Sequence, residues 1–125
     1  MVVKVIIPAF NEENGVGQVI AEIPRHLVSE IIVVNNASTD KTVHVATSAG
    51  ATVLHEPISG YGRACLKGID YLKSLDSKPD IVVFLDADHS DHPEEMEQII
   101  RPILDQEADL VIGSRSLANK EKGSM

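Results

Sequence analysis

The chain has 125 residues, a length typical of one domain rather than two. Hydrophobic residues make up 43% of the sequence and charged residues 24%, a composition that excludes a disordered or fibrous chain. The 11 Lys and Arg against 19 Asp and Glu give a formal net charge of −8, which argues against nucleic acid or an anionic membrane surface as a partner.

Runs of β-branched and other aliphatic residues predict five strands. The first run, Val2 to Ile7, is almost continuously apolar and ends at Pro8, as expected for a strand buried on both faces of a parallel sheet. The other four, in chain order, are Glu30 to Val34, a weaker run from Ala51 to His55, Asp80 to Leu85, and Asp109 to Ile112.

Helix-length patterns separate these strands. The second helix is predicted to be capped by Thr39 or Asp40 and to end near Gly50. The fourth is predicted to begin at Pro93 with acidic residues in its first turn, and Pro102 should kink it or split it. The first and third helices carry apolar residues at helical spacing, namely Val16, Val19, Ile20 and Ile23, and then Leu66, Ile69, Leu72 and Leu75. Strands alternating with helices predict an α/β fold, a mostly parallel sheet of about five strands with helices on both faces.

The cysteine content and the hydropathy favour a cytoplasmic location. Cys65 is the single cysteine, so no disulfide can form within the chain. The apolar run at the N-terminus is too short for a membrane span and lacks a signal-peptide pattern.

Polar residues follow four of the predicted strands. Ligand sites of parallel sheets form at the carboxyl ends of the strands, so these segments converge on one rim. Taken singly, each has an ordinary structural explanation, such as Asn11 and Asp40 capping helices. The segments are Pro8 to Glu13, Asn35 to Asp40, Asp86 to Asp88, and Gly113 to Arg115.

Asp86 and Asp88 form the strongest candidate metal site. Residues two apart in extended chain point the same way, so both carboxylates can face one spot. Mg²⁺ or Mn²⁺ prefers such oxygen ligands and completes its shell with water and substrate phosphates. The pair lies within the acidic stretch from Asp76 to Asp109, which has eleven acidic and two basic residues. An acid and base pair for glycoside hydrolysis is disfavoured, because neighbours on one strand cannot flank a sugar from opposite sides.

Five motifs, taken in order, resemble the family 2 glycosyltransferases and their GT-A nucleotide-sugar-binding fold, a Rossmann-like half-sheet. They are IIPAFNEE at residues 6–13, VVNNASTDKT at 33–42, GYG at 60–62, LDAD at 85–88 and IGSR at 112–115. The sequence is most similar to the branch of dolichol-phosphate and polyprenyl-phosphate sugar synthases. The order and spacing of the motifs cover nearly all of residues 2–115.

The resemblance implies roles for individual residues. Asn36 stands where the family usually has an Asp that contacts the base edge, and an amide can still hydrogen-bond there. Asp86 and Asp88 are the expected catalytic and metal-binding pair, with Asp88 the more direct ligand of Mg²⁺ or Mn²⁺. Ser90 is a further possible metal contact. The other expected donor-binding residues are Pro8, Ala9, Phe10 and Glu12, which hold base and ribose; Ser38 and Ala87; and Gly60, Gly62 and Arg63, in a loop near the nucleotide.

The resemblance also implies an inverting reaction and a divided chain. The sugar of UDP-glucose or GDP-mannose would pass to a lipid phosphate such as polyprenyl or dolichyl phosphate, or to a saccharide, at the cytoplasmic face of a membrane in the first case. We expect residues 1–115 to form the donor-binding domain and residues 116–125 to be a loose tail that begins an acceptor-binding part. These 125 residues should then bind nucleotide but transfer sugar poorly.

Two other functions stay open on the sequence. A non-catalytic nucleotide-sugar-binding module would share the fold, and its nucleotide binding would not depend on metal. A phospho-acceptor signalling domain is disfavoured, because it needs a carboxylate cluster after the first strand and a lysine after the last. His89 and His92 lack a third soft-metal partner, so we interpret them as solvated loop residues.

Overall fold

The computed structural model describes residues 2–88 and Pro93. Within them, four strands alternate with three helices. The elements are β1 (Val3–Ala9), α1 (Val16–Glu22), β2 (Glu30–Asn35), α2 (Thr42–Ser48), β3 (Thr52–His55), α3 (Tyr61–Lys73) and β4 (Ile81–Phe84). The predicted fifth strand, the body of the helix after Pro93 and the tail at 116–125 lie outside the described residues.

The four strands form one parallel sheet in the order β3-β2-β1-β4. Strand β1 is central: Val5 pairs with Ile31 of β2 on one side and with Val83 of β4 on the other. Every residue of β1 except Lys4 is buried, as is every residue of β4. The predicted parallel α/β sheet is therefore confirmed, with its carboxyl ends along one edge.

Helices cover both faces of the sheet. Helices α1 and α2 pack on the face that carries Val5 and Ile7, and α3 packs on the face that carries Ile6. The prediction that Leu66 faces the core is wrong, because its side chain is 58% exposed. The buried positions of α3 are Ala64, Gly68 and Leu72, spaced four residues apart.

Neither predicted residue is the N-cap of α2, which is Lys41 without a side-chain cap, but Asp40 lies one residue before it and bonds to the first turn. The Asp40 carboxylate accepts a hydrogen bond from the backbone N–H of Thr42, the first residue of α2, at 2.9 Å. Asn11 does not cap α1, which begins after Gly15 without a side-chain cap. In residues 2–88 with Pro93, no helix is long and apolar enough to cross a membrane.

A polar cluster around Glu30 joins four elements at the edge where the strands begin. The Glu30 carboxylate accepts hydrogen bonds from the Lys4 ammonium at 3.0 Å, the Thr52 hydroxyl at 2.8 Å and the Tyr71 hydroxyl at 2.6 Å. Burial alone would raise the pKa of Glu30, but these hydrogen bonds outweigh it and hold that pKa below its ordinary value. The cluster therefore stabilises the edge opposite the candidate site.

Candidate functional site

A pocket of about 390 Å³ opens at the carboxyl edge of the sheet. Its walls come from the ends of β1, β2 and β4 and from the segment that leads into α3. This is where parallel sheets form ligand sites. The lining residues are Pro8, Ala9, Phe10, Glu12, Asn36, Ser59, Gly60, Tyr61, Ala64, Asp86, Ala87 and Asp88.

The charged side chains in the described lining of this pocket are all carboxylates: Glu12, Asp86 and Asp88. The pKa of Glu12 is raised, first by burial and then by the negative charges of Asp88 and Asp40. A phosphate group entering the pocket would meet the same repulsion. A cation held by these carboxylates would offset that repulsion.

Asp86 and Asp88 reach the pocket through a turn. Strand β4 ends at Phe84, and Ala87 and Asp88 form the turn that follows, so the prediction of continuous extended chain is wrong. Ala87, a predicted donor-binding residue, is buried in the core that packs against α1 and also lines the pocket.

The donor set is suited to a hard divalent cation whose shell is completed by a ligand. Among the described residues, no group of three His, Cys, Asp or Glu could hold a metal ion. Two carboxylates are a common protein contribution to a Mg²⁺ site, where water and substrate phosphates supply the other oxygens. Asp86 and Asp88 fit that contribution.

Gly15 lies against the turn that carries Asp88. A Cβ atom added at Gly15 would lie 2.6 Å from the carbonyl oxygen of Ala87 and 3.2 Å from the Cα of Asp88. Both are backbone atoms and cannot rotate away. Glycine at the start of α1 therefore allows the Ala87–Asp88 turn to approach the helix.

Hydrogen bonds join the loop after β1 to the loop after β2. The backbone N–H of Asn11 donates to the Ser38 hydroxyl at 2.9 Å, and the Asn11 side-chain carbonyl accepts from the backbone N–H of Thr39 at 2.8 Å. The backbone N–H of Glu12 donates to the buried Thr42 hydroxyl at 2.9 Å, which fixes Glu12 beside the pocket. Ser38, a predicted donor-binding residue, lies in this connection and not in the pocket lining.

Asn36 is buried at the end of β2, with 6% of its surface exposed. Its side-chain amide donates to the carbonyl oxygens of Glu56 at 2.9 Å and Ile58 at 2.8 Å, and its carbonyl accepts from the N–H of Gly60 at 2.9 Å. An amide nitrogen carries two N–H donors, so both are used inside the protein. Asn36 also lines the pocket, so the predicted position at the donor site and these internal hydrogen bonds occur together.

The segment before α3 contributes to the pocket through Ser59, Gly60 and Tyr61. Gly60 precedes the helix with φ at +138°, a conformation that favours glycine. Gly62 and Arg63 lie in the first turn of α3, not in a loop as predicted, and they do not line the pocket.

Two exposed aromatic side chains line the pocket. Phe10 is 54% exposed and Tyr61 is 57% exposed, although large aromatic groups are ordinarily buried. They are half of the chain's four aromatic residues. Phe10 was predicted from the sequence and Tyr61 was not, although the scarcity of aromatic residues was a signal for both. Predictions for His89, Ser90, His92 and the 113–115 motif lie outside the described residues.

An open parallel α/β sheet with a pocket at its carboxyl edge is an architecture shared by many nucleotide-binding domains. The chain belongs to glycosyl transferase family 2, whose family model matches residues 4–125. Membership of this family and the α/β fold that it implied are thus confirmed.

Relatives and solved structures agree with this assignment. The chain is 34% identical to an uncharacterised protein of Methanocaldococcus jannaschii over 97% of this chain and 49% of that relative. It is 28% identical to the UDP-N-acetylglucosamine–dolichyl-phosphate N-acetylglucosaminyltransferase of Methanococcus voltae, over 98% of this chain and 55% of the relative. The chain spans about half the length of these curated relatives.

Among solved structures, the fold is similar to that of glucosyl-3-phosphoglycerate synthase from Mycobacterium tuberculosis in complex with Mn²⁺, UDP and glucosyl-3-phosphoglycerate. The TM-score is 0.70 at 31% identity, over 82% of this chain and 39% of that one. The same enzyme has also been solved with Mg²⁺ and UDP.

Proposed function

We propose that residues 1–115 form the donor-binding domain of an inverting glycosyltransferase that uses UDP-glucose or GDP-mannose and transfers the sugar to a polyprenyl or dolichyl phosphate. The observation that carries this proposal is the charge of the pocket. Among the described residues, the charged groups that line the pocket are Glu12, Asp86 and Asp88. Because all three are negative, a nucleoside diphosphate needs a divalent cation to enter.

Asp86 and Asp88 are the residues that would hold this cation. When bound, Mg²⁺ or Mn²⁺ neutralises the diphosphate and stabilises the charge that develops as the nucleoside diphosphate leaves. The turn after β4 and its contact with Gly15 keep both carboxylates at the pocket. Their role is to bind and orient the donor, not to transfer a proton.

Phe10 and Tyr61 provide the apolar surface for the base. Both rings are exposed in the pocket lining, and stacking on an aromatic ring is available to either uracil or guanine. Pro8 and Ala9 line the same pocket and complete the surface for base and ribose. Stacking tolerates different bases, so the choice between uridine and guanosine donors depends on contacts with the base edge.

The proposed reaction is an in-line displacement at the anomeric carbon. An oxygen of the acceptor forms a bond to that carbon as the bond to the diphosphate oxygen breaks, and the configuration inverts. A phosphate acceptor arrives already ionised, so its oxygen needs no general base. A hydroxyl acceptor would need one.

The relatives support the kinds of partner in this proposal. The Mycobacterium tuberculosis enzyme was solved with Mn²⁺ and UDP-glucose, and the name of the Methanococcus voltae relative specifies a dolichyl-phosphate acceptor. We extend a divalent cation, a nucleotide-sugar donor and a lipid phosphate acceptor to this chain. Together with the partly buried free thiol of Cys65, they favour the cytoplasmic face of a membrane.

Calorimetry with UDP-glucose and GDP-mannose, each with Mn²⁺ and with EDTA, tests the donor part of the proposal. Binding of one donor that is lost in EDTA is the expected result. Binding that is equal in EDTA would contradict it and favour the metal-independent binding module. Product formation with polyprenyl phosphate or with a saccharide, assayed under the same conditions, would then identify the acceptor class.

A further inference from the structure

The segment 56–60, here called the wall segment, leads from β3 into α3 and forms one side of the pocket through Ser59 and Gly60. We propose that Asn36 is a positioning residue that holds the wall segment against the end of β2, and that it does not recognise the base. This inference rests on the proposed nucleotide site and concerns how that site is built.

The hydrogen bonds of Asn36 span almost the whole wall segment. One side-chain amide joins the carbonyl of Glu56, the carbonyl of Ile58 and the N–H of Gly60, at 2.8 to 2.9 Å. A single side chain thus fixes the separation of three backbone groups. The position of Ser59, between the second and third contacts, follows from them.

The chemistry of these contacts requires an amide. Two of the three partners are carbonyl oxygens, which need donors, and the third is an N–H, which needs an acceptor. A carboxylate at position 36 would place an oxygen opposite the two carbonyls and repel both. The site is buried, so water cannot readily replace the lost donors.

The wall segment needs such an external support because its own conformation is unusual. Its last residue, Gly60, has φ at +138°, and the N–H of Ile58 turns back to the Glu56 carboxylate at 3.0 Å. Tyr61, which follows at once, is more than half exposed in the pocket. A shift of the wall segment would therefore move Gly60 and Tyr61 together relative to a bound nucleotide.

The adjacent asparagine offers a matched control. The side-chain amide of Asn35 lies 3.2 Å from His55 Nδ1, and its carbonyl accepts from the N–H of Ser38 at 3.1 Å. Asn35→Asp introduces the same charge one residue away and leaves the three contacts of Asn36 intact. A carboxylate at 35 can also still accept from Ser38.

The experiment compares Asn36→Asp, Asn35→Asp and the unchanged chain by calorimetry with UDP, GDP and ADP in Mn²⁺, and by hydrogen exchange of the wall segment. We expect Asn36→Asp to raise the Kd for every nucleotide by about tenfold without changing their order, as loss of two buried donors implies. Amide exchange at Ile58 and Gly60 should accelerate. Asn35→Asp should raise the Kd less than Asn36→Asp does, because a carboxylate at position 35 can still accept from the N–H of Ser38.

Other results would overturn the inference. A changed order of nucleotides in Asn36→Asp would assign Asn36 to base recognition, and unchanged affinity with unchanged exchange would remove its positioning role. If the unchanged chain binds no nucleotide, the proposed function fails, whereas the exchange data still test the support of the wall segment. If Asn36→Asp does not fold, Asn36→Ser keeps one donor without adding charge and should show an intermediate loss.

Discussion

Substitution of Gly15 by alanine tests whether the metal-binding turn depends on close packing against α1. The added Cβ would lie 2.6 Å from the carbonyl oxygen of Ala87, and ordinary contact begins at 3.4 Å. The turn must therefore move by roughly 0.8 Å, because the opposing atoms are backbone. Gly15 itself has φ at −114°, so alanine introduces no backbone strain at position 15.

A displacement of this size should affect function more than folding. Overpacking typically costs about 1–3 kcal/mol of stability. Misplacement of a reacting group by about 1 Å can cost about 100-fold in rate. Because Asp88 moves with the turn, we expect Gly15→Ala to weaken Mn²⁺-dependent UDP binding by about 10- to 100-fold.

Calorimetry with UDP in Mn²⁺ and in EDTA, together with thermal unfolding, measures both effects. Gly17→Ala is the matched control. Gly17 lies in α1, and its added Cβ would meet Cγ1 of Val45 in α2 at 2.9 Å, with no contact to the Ala87–Asp88 turn. This control should lose stability and keep metal-dependent binding. Equal UDP affinity in Gly15→Ala and the unchanged chain would refute the reasoning.

Four further substitutions test the site and its support. Asp88→Asn should weaken UDP binding in Mn²⁺ by about 100-fold and slightly strengthen it in EDTA, since one repulsive charge is gone; calorimetry in both buffers checks this. Gly60→Ala should lower the free energy of unfolding by about 1–2 kcal/mol because of its positive φ, whereas Gly62→Ala should raise it by about 0.5–1 kcal/mol, as denaturant titration would show. Tyr71→Phe should cost about 1 kcal/mol at neutral pH. The pKa of Glu30 is lowered in the folded state. The loss of stability in Tyr71→Phe is therefore complete above pH 4.5 and shrinks as the pH falls through the lowered pKa of Glu30. Unfolding at a series of pH values would follow this change.

The strands and the location of the pocket could be predicted from sequence because they depend on local pattern. The apolar run of β1 indicates a strand buried on both faces, and the structure shows it at the centre of a parallel sheet. Parallel strands end on one edge, so the loops after β1, β2 and β4 had to meet there. Asp86 and Asp88 were found for that reason, although a turn and not a strand carries them.

The face of α3 was mispredicted because its buried residues are small. Leu66 and Leu72 are six residues apart, which at about 100° per residue places them on different sides of the helix. Ala64 and Gly68, which face the sheet with Leu72, give almost no hydropathy signal. Close packing of α3 on the sheet selects them, and that is a property of tertiary structure.

The role of Asn36 depends on contacts that no local pattern contains. Its partners lie 20 to 24 residues further along the chain. Tyr61 was missed for a related reason, because its exposure follows from the path of the wall segment. Sequence could identify residue types at the site but not which side chains are engaged within the protein.

The coupling between Mn²⁺ and UDP tests the central claim most directly. The charged side chains that line the described part of the pocket are all acidic. Mn²⁺ should therefore improve the binding of UDP, and UDP the binding of Mn²⁺, by the same factor of about tenfold or more. Calorimetric titration of UDP with and without Mn²⁺, and of Mn²⁺ with and without UDP, measures that factor twice. Equal and large factors are the predicted result, and UDP binding that is independent of Mn²⁺ would contradict the account.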